Sequence, residues 1–158
     1  MDEIVWLADQ GITTGCSATR FCPGDPVTRG QMASFLARAF GLPPSAANWF
    51  VDDDGSVHED NINRIAEAGV TSGCSQTAFC PGDPVTRGQM ASFLARAMNL
   101  PPAGADHFND DNGSAHEDAI NSIAEAGITS GCTATRFCPT GIVSRQQMAA
   151  FLYRALAP

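Results

Sequence analysis

The sequence predicts an all-α protein of three tandem helix–loop–helix repeats, each loop closed by a disulfide. Three observations carry this expectation. The 158 residues are self-similar, with equivalent glycines at Gly11, Gly69 and Gly127, 58 positions apart, and such a fixed period marks units that share a core with their neighbours. Apolar residues recur at helical spacing in two stretches of each unit. Each unit also carries one Cys-x5-Cys pair: Cys16/Cys22, Cys74/Cys80 and Cys132/Cys138. The chain reads as one domain, 1–158, made of a truncated first repeat (1–44), a second (45–102) and a third (103–158).

The first helix of a unit is expected to start at Ser56 or Ser114. Ser56-Val57-His58-Glu59 and Ser114-Ala115-His116-Glu117 read as capping boxes, in which Ser and Glu satisfy each other's free N–H groups. Ile62, Ile65 and Ala66 follow on one face, as do Ile120, Ile123 and Ala124, and Ile4, Leu7 and Ala8 in the first copy. Gly11, Gly69 and Gly127 read as left-handed helix stops.

The cysteine loop comes next. An even count, paired within each repeat, fits oxidised structural bridges and an extracytoplasmic setting. Closing so small a loop stabilises by roughly 2 kcal/mol in the chain-entropy model. Zinc is the rival reading, with two thiols per repeat and no Cys-x2-Cys spacing.

The second helix starts at Thr28, Thr86 or Ser144. Each pairs with a Gln three residues on (Gln31, Gln89, Gln147) in a second set of capping boxes. Met32, Phe35, Leu36 and Ala39 form its buried stripe. Met90, Phe93, Leu94 and Ala97 repeat the stripe, as do Met148, Phe151, Leu152 and Ala155. The Pro-rich linkers Leu42–Ala47 and Leu100–Ala105 end these helices and stay extended.

Composition narrows the function. Nine Arg and no Lys stand against 17 acids, a net charge of −8. Such a chain is expected to avoid nucleic acid and anionic membranes. No apolar run approaches membrane-spanning length. Met1-Asp2-Glu3 lacks the regions of a signal peptide and enters the repeat partway, which reads as a boundary inside a longer protein. No nucleophile elbow or acid–base constellation stands out, so a non-enzyme is expected.

The acidic turns Asp52-Asp53-Asp54-Gly55 and Asp110-Asp111-Asn112-Gly113 are rich in hard oxygen ligands. Calcium is the candidate ion for Asp52, Asp53, Asp54, Asp110 and Asp111, although EF-hand spacing is absent. Turn formation and helix capping are the competing account. His58 and His116 read as surface or packing residues rather than metal ligands.

Taken together, Phe-x-Asp, a short helix, Gly-Ile/Val-Thr-x-Gly, a loop ending Phe-x-Pro, then Val-Thr-Arg and an apolar helix resemble the S-layer homology module, in three copies across essentially the whole chain. The resemblance implies a pseudo-threefold, three-pronged helical assembly. It also implies a non-catalytic anchor at the bacterial surface that binds wall-linked polysaccharide, often through pyruvylated sugars, in grooves between prongs. Its Thr-Arg motif falls on Thr28-Arg29, Thr86-Arg87 and Ser144-Arg145. An Arg in the first helical turn stands beside free N–H groups and the positive end of the dipole, a setting for a carboxylate. Gly30 and Gly88 would let a ligand or a neighbouring backbone approach. The competing role for Arg29 and Arg87 is a salt bridge to Asp52 or Asp110, which complete the candidate ligand set.

This sequence departs from the family pattern in three ways. It has the cysteine pairs. It has Val57-His58 and Ala115-His116 where an aromatic is usual. It has Gln146 in place of Gly and Thr140-Gly141-Ile142 in place of Gly-Asp-Pro. These departures place Arg145 below Arg29 and Arg87 in expected importance. The expected partners are cell-wall polysaccharide and other domains of a secreted protein. The alternative reading is an extracellular protein-interaction or assembly module, stabilised by calcium.

Overall fold

A computed structural model describes residues 2–158; Met1, where the sequence suggests a boundary, lies outside them. Among the described residues the regular elements are six helices: α1 (Glu3–Asp9), α2 (Arg29–Ala39), α3 (Glu59–Glu67), α4 (Arg87–Ala97), α5 (Glu117–Glu125) and α6 (Arg145–Leu156). The capping boxes of the second helices form as expected, with Thr28, Thr86 and Ser144 exchanging hydrogen bonds with Gln31, Gln89 and Gln147. Gly11, Gly69 and Gly127 end the first helices at φ of 71°, 78° and 78°, a backbone that glycine adopts without steric cost.

The first helices start later than the sequence suggests. α3 and α5 begin at Glu59 and Glu117, not at Ser56 and Ser114. The physical reason is local competition. Ser56 Oγ accepts the His58 N–H at 3.1 Å, and Glu59 reaches back to the Gly55 N–H at 3.0 Å. The Ser56 N–H is already donated to the Asp53 carbonyl at 2.9 Å. Repeat three has the same bonds, from His116 to Ser114 and from Gly113 to Glu117.

Helix packing crosses repeat boundaries: α2 lies on α3, α4 on α5, and α6 returns to α1. This cyclic exchange closes the three units on one another. At the centre, the residues before each second helix form a ring. Val27 N–H donates to Val143 (2.9 Å), Val143 to Val85 (3.0 Å) and Val85 to Val27 (2.9 Å). All three valines are fully buried. Proline precedes Val27 and Val85 and fixes φ, so these segments arrive extended, with the valine N–H and C=O left for the neighbours. The apolar stripes predicted for the helices, with Phe79 and Phe137 from the loops, form a single core around this ring, except for Ala8, which is exposed.

The three intra-repeat disulfides Cys16–Cys22, Cys74–Cys80 and Cys132–Cys138 are formed. Among the described residues, no helix is long and apolar enough to cross a membrane.

Candidate functional site: clefts at the repeat junctions

The three motif arginines are tied into the scaffold first. Arg29 donates through Nε to the Phe79 carbonyl at 2.7 Å, Arg87 to Phe137 at 2.8 Å and Arg145 to Phe21 at 2.7 Å. Each therefore reaches the loop of the next repeat, with repeat three reaching repeat one. Each guanidinium also lies between two aromatic rings. Arg29 sits 4.6 Å from the Phe79 centroid and 5.4 Å from that of Phe93. Arg87 and Arg145 repeat this with Phe137/Phe151 and Phe21/Phe35. A planar cation stacked and hydrogen-bonded in this way is held at low entropic cost.

The helix starts beside these arginines are not free. The first two N–H groups of each second helix are donated to the next repeat. Arg29 and Gly30 donate to Asp83 and Pro81, Arg87 and Gly88 to Gly141 and Pro139, and Arg145 and Gln146 to Asp25 and Pro23. The cap hydroxyl takes the third. A carboxylate at these sites would meet the guanidinium, not the open end of a helix.

The expected Arg–Asp ion pairs give way to an indirect link. Asp52 accepts the N–H groups of Phe79 and Cys80, both at 2.8 Å, and the Phe79 carbonyl in turn takes Arg29. Burial alone would raise the Asp52 carboxyl, but these two N–H groups and the charge of Arg29 hold it below the usual range. Asp110 holds Phe137 and Cys138 in the same way, with Arg136 at 3.7 Å. Both acids organise the cysteine loop.

Several clefts open at the junctions. Some, lined in part by acids, lie between α4 and α5 (about 480 Å³) and between α6 and α1 (about 340 Å³). Two equivalent ones, of about 440 and 320 Å³, are lined by a motif arginine. In the first, Arg145, Arg38, Gln31, Ser34 and His58 face the loop Thr13–Cys16. In the second, Arg29, Arg96, Gln89, Ser92 and His116 face the loop Thr71–Cys74. The two sets correspond residue for residue under the repeat. Each cleft holds two arginines, and no acid lines either one, in a chain where acids outnumber cations 17 to nine. Among the described residues, the terminal nitrogens of Arg29 and Arg145 have no protein partner, and they are not among the occluded atoms. Ser34 and Ser92 pair with Nδ1 of His58 and His116 at 2.7 Å. Burial first, and then the charge of Arg38 or Arg96, lowers both histidines below their ordinary range.

Gly30 and Gly88 admit no ligand. A Cβ on Gly30 would stand 2.9 Å from His58 Cδ2 and 3.3 Å from the Pro81 carbonyl, and Gly88 faces His116 and Pro139 alike. The neighbouring backbone and the imidazole occupy the space. Thr28, Thr86 and Ser144 act as helix caps. Arg87 lines neither cleft, and Arg145, expected to matter less, lines the larger. The reason is the cyclic shift: each arginine serves the junction of the following repeat, so Arg145 belongs to the intact first cleft.

Sequence alone places Arg38 and Arg96 near the C-terminal ends of their helices, where a cation favours the dipole, and does not announce the Ser–His pairs. A signal existed. Gly30, Ser34 and His58 recur together as Gly88, Ser92 and His116, while α6 has Gln146 and Ala150.

Fold and clefts define a class: a closed helical module of three repeats whose concave surfaces lie between units. The family model described as "S-layer homology domain" matches residues 1–33, 52–91 and 107–149, and the chain belongs to that family, a family of non-catalytic cell-wall-anchoring modules at the bacterial surface. The chain is 30% identical to an endoglucanase of Bacillus sp. (strain KSM-635), over 90% of this chain and 16% of that protein. It is 30% identical to an S-layer protein of Bacillus thuringiensis subsp. finitimus, over 96% of this chain and 19% of that one. It thus spans less than a fifth of either relative. An undecaheme cytochrome from the S-layer of Carboxydothermus ferrireducens shares the fold, with a TM-score of 0.52 and 16% identity over the whole of this chain and 21% of that one.

Proposed function

We propose that the chain anchors a larger secreted protein to the bacterial wall by holding acidic substituents of a wall-linked polysaccharide in its first two clefts. The observation that carries this reading is the pair of equivalent clefts, each with two arginines and no acid. Arg145 and Arg29 are fixed by their Nε bonds and stacking, so their terminal nitrogens form a prearranged fork for a carboxylate. Arg38 and Arg96 are exposed at the clefts and add long-range attraction. Gln31, Gln89 and the Ser–His pairs offer neutral partners for sugar hydroxyls. Among the described residues lining the clefts, Phe35 and Phe93 are buried and engaged with arginines. Recognition therefore rests on hydrogen bonding more than on ring stacking.

The test is binding of the purified chain to isolated cell walls in three states: intact, stripped of non-covalently held polymers, and with carboxylates amidated. Binding to intact walls that is lost on stripping and falls at least tenfold on amidation is expected. Binding that survives amidation would remove the acidic-substituent reading, and binding that survives stripping would remove the polysaccharide itself.

A further inference from the structure

Asp53 and Asp111 are the two residues whose buried carboxylate oxygens lack any hydrogen-bond partner among the described residues, and each side chain's residue is 1% exposed. An ionised carboxylate without partners is costly to bury. Nothing in the anchoring role uses either one. In repeat three one carboxylate oxygen from each of Asp111, Asp106 and Glu117 lies within 4.8 Å of the other two. Three acids converge there on one point, one of them buried and unpaired.

We infer that Asp106, Asp111 and Glu117 form a calcium site. The ligands are hard oxygens with no sulfur or imidazole among them, the set that suits calcium over zinc. Ligand atoms around one calcium ion, at about 2.3–2.6 Å from it, lie no more than about 5 Å apart, which the cluster satisfies. The positions come from different places: Asp106 from just after the linker that follows α4, Asp111 from the acidic turn, and Glu117 from the first residue of α5. The Gly113 N–H donates to Glu117 at 3.0 Å and fixes that side chain toward the turn. An ion there would tie the linker to the helix start next to His116, a wall of the second cleft.

Burial raises the Asp111 carboxyl above its ordinary range, and the negative charges of Asp106, Glu117 and Asp110 add to this. A cation is the partner that relieves both effects at once.

This ligand set keeps Asp111 from the five acids the sequence suggested and adds Asp106 and Glu117. Asp52 and Asp110 spend both oxygens on loop N–H groups, and Asp54 accepts from Asn48 at 3.3 Å. Repeat two supplies an internal control, because its equivalent positions are Asn48, Asp53 and Glu59. One carboxylate fewer makes it the weaker site.

The proposal does not depend on wall binding and is tested without it. The chain, stripped of divalent ions, is melted against calcium chloride, with magnesium chloride as control, and calcium binding is counted by calorimetry. Half-saturation between about 0.1 and 1 mM is expected, the range of extracellular calcium modules, with the melting temperature rising by about 3–6 °C at ten times the half-saturating concentration. Asp111→Asn and the surface variant Asp106→Asn should each lose most of the shift. Asp106 is exposed, so that variant keeps the test open if Asp111→Asn does not fold. Asn48→Asp should add a second equivalent of bound calcium. The proposal is overturned by no shift up to about 10 mM calcium, by an equal shift with magnesium, or by an undiminished shift in both Asp→Asn variants.

Discussion

The first two junctions and the third share one skeleton but differ in what lines it. All three have the valine ring bond, the arginine stacked between two phenylalanines, and the paired N–H donations from helix start to neighbouring loop. The first two also have a glycine against a histidine and a serine bonded to that histidine. At the third, α6 packs on α1, whose described residues hold no histidine, and Ala150 and Gln146 stand where serine and glycine would be. Features kept at every junction close the ring. Features kept at two shape the clefts. The motif arginines belong to both groups: their Nε and ring faces hold repeats together, and their outer nitrogens serve the clefts at two junctions.

The largest expected effect would break the shared skeleton. Arg29→Ala, Arg87→Ala and Arg145→Ala should each cost about 2–4 kcal/mol in urea unfolding, since each removes a charged hydrogen bond and two stacking contacts. Similar values at all three sites would support a common structural role; a negligible value at Arg87 would show that the third junction is looser than its geometry. For the same reason Arg→Lys, which loses the fork and the Nε bond, should lower stability as well as binding.

A smaller effect separates the junctions. Gly30→Ala and Gly88→Ala should cost up to about 2 kcal/mol, because the clash with imidazole and carbonyl outweighs the gain in helix propensity. Adding His58→Ala to Gly30→Ala should recover part of that loss, whereas Gln146→Ala should stay within about 0.5 kcal/mol of the parent. Smaller still, Ser34→Ala or Ser92→Ala should cost about 1 kcal/mol through the lost hydrogen bonds, with Ala150→Ser near neutral. Equal responses at 34 and 150 would erase the distinction between the junctions.

The helices, their apolar faces and the disulfide loops were legible in the sequence because period, capping boxes and cysteine spacing are local signals. The starts of α3 and α5 were not, since Ser56 and Glu59 can satisfy either a capping box or the tighter turn, and the Asp53 carbonyl decides between them. The threefold closure came from family resemblance. Nothing local in Val27, Val85 or Val143 announces that they bond to each other in a ring. The same cyclic shift hid which cleft each arginine serves: Arg145 and the Thr13–Cys16 loop meet across more than a hundred residues. Asp106 gives no such signal, because it lies outside the run of acids, directly after the Leu100–Ala105 linker.

In the proposed anchoring role the first two clefts, and not the third junction, hold the acidic polymer. Arg38, Arg96 and Arg154 are equivalent, exposed residues, and the first two line the clefts, so their loss tests binding without disturbing the stacked arginines. The measurement is the affinity of Arg38→Gln/Arg96→Gln and of Arg154→Gln for isolated walls, with melting temperatures checked alongside. At least a tenfold weakening, about 1.4 kcal/mol, is expected for the double variant, and parent-like binding for Arg154→Gln. Equal affinities for the two variants, with both folded, would contradict this role.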